Sequence, residues 1–233
     1  MLNSLKTLFM FIFVVLFLTG QAHKNSDIIL LNSTENLTLL NVKAEAVTFK
    51  GKKGLRVEKV TNIDESKNSG TLVLIENSDF RNGTIELELS GEPAPGTGKR
   101  AKGFVGVAFR IDNTDHNNYE CIYLRPVNGR AENQLQRNHS VQYISHPEFP
   151  WQRLRKEQPG VYETYVDLVP GEWIKFKIVV SGKSARLYVH GNSQPTLIVH
   201  DLKHGERQGL IGLWLYRSTI AHYRNLKVIV SDE

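Results

Sequence analysis

The chain has 233 residues, 40% of them hydrophobic, with 29 lysines and arginines against 24 acids and a formal charge of +5. Bases and acids are interspersed without a long basic block, which argues against nucleic acid as a partner. Cys121 is the only cysteine, so no disulfide forms within the chain and the fold must rest on its hydrophobic core.

At the N-terminus Lys6 precedes an apolar run over residues 8–18, followed by Thr19-Gly20-Gln21-Ala22. A basic start, a short apolar core and small residues before Ala22 predict a secretory signal peptide over residues 1–22. The run is shorter than the ~20 residues a bilayer crossing needs. The expected product is therefore secreted or periplasmic, soluble after cleavage and not inserted in a membrane. Residues 23–233 are long enough for one all-β domain.

In chain order, residues 27–31 and 37–42 have strand-like apolar density. Val47-Thr48-Phe49 and Leu55-Arg56-Val57 flank Gly51-Lys52-Lys53-Gly54, the pattern of a hairpin. Residues 71–75 read as a strand buried on both faces. Over residues 84–89, Ile85, Leu87 and Leu89 alternate with Glu86 and Glu88, which predicts one wet face. Residues 91–102, rich in Gly, Pro and Lys, read as a loop whose cations keep it solvated.

Residues 103–126 form the pivotal hairpin, two strand-like runs around a polar tip at 112–118. Alternation places Val105, Val107, Phe109, Glu120, Ile122 and Leu124 on one face. Phe104, Gly106, Ala108, Arg110, Tyr119, Cys121, Tyr123 and Arg125 fall on the other. Small residues there leave room for something to approach the backbone, with arginines and tyrosines to hold it. Asp112, Asn113 and Asp115 at the tip are hard oxygen donors of the kind calcium prefers, although Asx residues also favour turns. No other cofactor is expected.

Residues 127–160 are irregular. Asn128-Gly129 signals a tight turn, residues 141–144 a strand, and Pro147, Pro150 and Pro159 break the rest. Tyr143, Phe149 and Trp151 argue for an ordered functional loop and not a disordered one. The C-terminal third is nearly all strand: residues 161–168, 173–180, 185–189, 196–200, 209–216 and 223–230, separated by turn signals. No segment beyond the N-terminus has helical periodicity of useful length. The pattern is an all-β sandwich or barrel.

Several pieces, in order, resemble the concanavalin A-like lectin/glucanase jelly roll, in particular its secreted branch of 3-keto-disaccharide hydrolases, near the laminin G-like modules. They are Asn82-Gly83-Thr84-Ile85-Glu86, Gly106-Val107-Ala108-Phe109-Arg110, the strand over 119–125 and Gly171-Glu172-Trp173. Leu187-Tyr188-Val189-His190-Gly191, residues 209–214 and Tyr223-Arg224-Asn225-Leu226-Lys227-Val228 complete the series. The resemblance implies a two-sheet antiparallel β-sandwich with one concave sheet and a carbohydrate partner.

A sugar site needs aromatic platforms and planar polar donors. Trp214 and Tyr216 share a face with Gly212, so Arg110, Tyr123, Arg125, Trp214 and Tyr216 are expected to converge. Trp151, His139 and His146 would be added by the long loop. The first expectation is a carbohydrate-binding domain; a glycoside-cleaving enzyme of the 3-keto-disaccharide hydrolase type and a laminin G-like interaction module are the alternatives. Glucanases of this fold carry Glu-x-Asp-x-x-Glu on one strand. Here Glu86-x-Glu88 is followed by Ser90 and Gly91, so the motif is absent. Catalysis would instead fall to Glu120, Glu163 or Asp167 with His139 or His146 as acid and base. Four Asn-x-Ser/Thr sequons, at Asn32, Asn36, Asn82 and Asn138, matter only in a eukaryotic secretory pathway.

Overall fold

A computed structural model of the protein describes residues 26–60 and 70–231. The signal peptide expected over 1–22 lies outside the described residues. Among those residues, no helix is long and apolar enough to cross a membrane.

The first strands are β1 (Ser26–Ile29), β2 (Leu37–Leu40), β3 (Val42–Phe49), β4 (Lys52–Lys59), β5 (Leu72–Phe80) and β6 (Gly83–Pro93). The pivotal hairpin is β7 (Val105–Ile111) and β8 (Tyr119–Leu124). Three short helices follow, α1 (Pro126–Gly129), α2 (Gln134–Asn138) and α3 (Trp151–Glu157), with β9 (Val141–His146) between the last two. The chain continues through β10 (Glu163–Thr164), β11 (Ile174–Ser181), β12 (Ser184–Val189), β13 (Leu197–Val199), β14 (Gly209–Leu215) and β15 (Thr219–Val230).

These strands form the expected all-β, two-sheet antiparallel sandwich. One sheet has eight strands in the order β13-β12-β11-β6-β15-β4-β3, with β1 also on β15. Residues 220–223 of β15 pair with β4 and residues 226–229 pair with β1, so both lie along one edge of that long strand. The second sheet has seven strands in the order β10-β9-β8-β7-β14-β5-β2. Alternation produces the core between them. Ile85, Leu87 and Leu89 face inward with Ile174, Phe176 and Ile178, while Glu86 and Glu88 lie opposite Lys177 and Lys175 on the outer face. From the seven-stranded sheet Val105, Val107, Ile122, Leu213 and Leu215 fill the same core.

Four local expectations are corrected. Asn128-Gly129 ends the helix α1, which Pro126 opens at a position where its missing N–H costs nothing. Residues 161–168 supply only the two-residue strand β10. Residues 91–93 belong to β6, because Gly91 pairs with Ala221 and a side chain there would meet Gly103 O at 2.4 Å. The helices have four, five and seven residues, too short for a 3.6-residue period to register in sequence.

Candidate functional site

The outer face of the seven-stranded sheet carries a hollow of about 1060 Å³. Its floor follows from strand parity. Gly106 is opposite Tyr123 on one side and Trp214 on the other, so the two rings flank a residue without a side chain. Tyr123 and Trp214 stack at 4.5 Å between centroids and 30° between planes, and Tyr216 continues the shelf 6.0 Å from Trp214 at 19°. The room left by Gly106 is taken by the shelf itself, since an added Cβ would lie 2.5 Å from Tyr123 Cβ and 2.4 Å from Ile122 O. The glycine therefore serves the stacked rings and not a ligand directly. Phe104 closes one end, edge-on to Tyr216 at 5.6 Å.

The connection from β8 to β10 builds a wall. Arg125 is buried, donating to His139 O and Tyr123 Oη at 2.8 Å each and more weakly to Gln142 Oε1. Trp151, the first residue of α3, lies between two guanidiniums, 5.9 Å from Arg125 and 4.6 Å from Arg155. Arg155 in turn grips the buried Glu163 carboxylate through Nε and Nη2 at 3.0 and 2.6 Å. That bidentate pair ties α3 to β10.

Two imidazoles line the same wall. His146 stacks on Tyr119 at 4.8 Å and 5°. Its Nδ1 donates to Asn117 O at 2.7 Å, and since a carbonyl can only accept, the neutral ring keeps its proton there and a lone pair on Nε2. Burial lowers the His146 pKa, partly opposed by the Asn117 carbonyl and the Glu148 carboxylate. His139 Nδ1 lies 2.8 Å from Glu163 Oε2, with the angle too poor for a hydrogen bond. Burial lowers its pKa too; Glu163 opposes, and Arg155 and Arg125 reinforce the drop. Both rings are thus biased toward the neutral form.

Of the residues singled out in the sequence, Tyr123, Arg125, Trp151, Trp214, Tyr216, His139 and His146 line the hollow together. Arg110 does not. It has a left-handed backbone (φ 54°) where the β7–β14 register shifts, and its buried side chain turns away from the shelf. Its donors satisfy the carbonyls of Arg81, Gly182 and Gly205 and the side chain of Asn82. Glu120 lies on the core face, accepting from Tyr143 Oη at 2.7 Å and His204 N–H at 2.9 Å. Asp167 is outside the hollow in a surface pair with Arg130. Glu163 stands behind the wall, in contact with His139 and Arg155. At the hairpin tip Asp112 accepts from Thr114 N–H at 2.8 Å and Asp115 from Asn117 N–H at 2.9 Å, so both carboxylates close Asx turns. Asn113 lies between them, and the described residues contain no group of three or more His, Cys, Asp or Glu placed to share an ion.

Phe104 and Tyr119, which parity places on the same face of the hairpin as Tyr123, also line the hollow. In sequence Lys99, Arg100 and Lys102 read as loop solvation, yet all three stand at the rim with Arg217. Their loop lies next to the shelf only in the folded molecule.

A family model described as the 3-keto-alpha-glucoside-1,2-lyase-like domain matches residues 32–229. No curated protein sequence matches the chain. Among solved structures, the chain is similar to the carbohydrate-binding module CBM66 from Bacillus subtilis, at 12% identity and a TM-score of 0.53, covering 82% of this chain and 97% of that one. A Bacillus subtilis protein with a galectin-like fold shares 12% identity and a TM-score of 0.54, over 87% and 94% of the two chains. A candidate glycosyl hydrolase from Parabacteroides distasonis gives 13% and 0.54, over 88% and 100%. At these identities the likeness is one of fold.

Proposed function

Because the chain belongs to the 3-keto-alpha-glucoside-1,2-lyase-like family, we propose that its hollow binds a saccharide laid against the Tyr123–Trp214–Tyr216 shelf. The single observation that carries this reading is that shelf. Sugar rings present flat C–H faces that pack on aromatic planes, and their hydroxyls need planar donors at the edges. Arg125 and Gln136 border the hollow for that second task. Among the described residues no aspartate or glutamate lines it, so the two-carboxylate route to glycoside hydrolysis has no support here.

The Trp214→Ala variant tests the reading, with calorimetric titration of a panel of mono- and disaccharides that includes 3-keto forms. One stacked ring is worth about 1 kcal/mol beyond its buried area, so affinity should fall roughly tenfold or more while the circular dichroism spectrum is kept. Unchanged affinity in a folded variant sinks the shelf as the binding element.

A second reading, an elimination enzyme, is favoured by the His146 tautomer. In a 3-ketoglycoside the C2 hydrogen lies α to the C3 carbonyl. His146 Nε2 takes that proton, the freed pair forms the C1–C2 double bond, and the C1–O bond breaks to release the alcohol after protonation. Arg125 and Arg155 supply positive charge for the enolate oxygen that develops. The expected product is an unsaturated keto sugar, seen by NMR, and His146→Gln should lower kcat about a hundredfold with little change in KM. Hydrolysis to a saturated keto sugar carrying solvent oxygen, or an unchanged kcat, rejects this chemistry.

A further inference from the structure

Charge around the hollow carries the saccharide reading, on which this step rests, to a class of ligand. Elsewhere on the surface several cations meet acids. Lys52 and Arg224 meet Glu88, Arg56 meets Glu45 and Glu58, Arg81 meets Glu206, and Arg130 meets Asp167. The residues that line the hollow include lysines and arginines but no aspartate or glutamate. Lys99, Arg100 and Lys102, from the loop between β6 and β7, stand at the mouth with Arg217, from the turn between β14 and β15. None of the four pairs with an acid among the described residues, and no carboxylate there lines the cavity between them.

Cations gathered around a concave wall repel one another and focus a positive potential into the space they enclose. Arg217 reaches the outer ring of the shelf, 5.2 Å from the Tyr216 centroid, and the other three come from a separate loop. Lys99, Arg100 and Arg217 are exposed at the rim, whereas Trp214 is buried in the floor. They therefore address the part of a ligand that extends beyond the ring stacked below. His139 and His146 add no charge near neutral pH, because burial lowers both pKa values. We infer that the hollow selects an acidic saccharide, whose stacked ring is joined to a unit bearing a carboxylate or a sulfate held by the rim cations. Planar guanidiniums at Arg100 and Arg217 match either oxyanion in two-point fashion.

The experiment is calorimetric titration of the full chain with a neutral disaccharide, its uronate-containing counterpart and its sulfated counterpart, at low and high salt. A single-stranded oligonucleotide serves as a further polyanion. Exposed pairs are individually weak and screened by salt, so four together should favour the acidic sugars about tenfold at low salt and little at high salt. The variant with Lys99, Arg100 and Lys102 changed to Gln leaves the shelf untouched, and should lose most of that preference and keep the neutral affinity. Whether uronate or sulfate binds tighter identifies the anionic group. Equal binding of neutral and acidic sugars overturns the inference and leaves saccharide binding intact, as does a preference that survives in the variant. Binding of no sugar overturns both, and tighter binding of the oligonucleotide than of any sugar assigns the cations to a different partner.

Discussion

His222 is 4% exposed, with its ring stacked on Phe49 at 3.8 Å and 6° and Trp173 edge-on at 6.2 Å. Its Nδ1 is buried without a hydrogen-bond partner among the described residues. Burial, with the nearby Arg56 charge in support, brings its pKa down to about 4. In the unfolded chain the same ring titrates near 6.5. Between those values the unfolded state holds a proton that the folded state does not, so stability falls as pH drops from about 6.5 to about 4, by roughly 3 kcal/mol from this ring alone. His139 and His146, also lowered, act in the same direction. The His222→Phe variant keeps the stack and removes the titrating group. Its melting temperature should decline less than the parent's across that window; parallel declines would remove His222 as the acid-sensitive site.

At the scale of elements, one bidentate contact ties α3 to β10, beside the buried Leu154. Arg155 holds Glu163 on β10 and covers the Trp151 ring, so the helix, the strand and an aromatic wall move together. Arg155 is also one of the charges that lower the His139 pKa. In Arg155→Gln the His139 pKa should rise, as read from its ring-proton shifts by NMR, and amide exchange over residues 151–157 should speed up. A His139 titration unmoved by the substitution would show that the Arg155 charge is not felt there. Regular strands such as β6, β11 and the β7–β8 hairpin were legible in sequence, because parity alone sorted Ile85 from Glu86 and put Trp214 and Tyr216 on one face, while their meeting with Tyr123 needed the two strands to share a sheet. Parity failed at Arg110, where the left-handed backbone and the register shift re-aim the side chain, and that exception was invisible without pairing partners. The wall was legible only as composition, since helices of four to seven residues carry no period and Arg155 found Glu163 through tertiary packing.

Over the whole molecule, the two sheets divide the work. The outer face of the eight-stranded sheet carries cross-strand rows of opposite charge, Glu88 beside Lys175 and Glu86 beside Lys177, while the outer face of the seven-stranded sheet carries stacked rings beneath a rim of unmatched cations. Between them runs one continuous core cluster drawn from both sheets. β1 adds Ser26–Ile29 to the closing strand β15 of the eight-stranded sheet, opposite the side on which the hollow opens. A bead, a chip or a fusion partner tethered ahead of Ser26 would thus sit at the back of the sandwich. The mouth would point away from the support and stay open to solution.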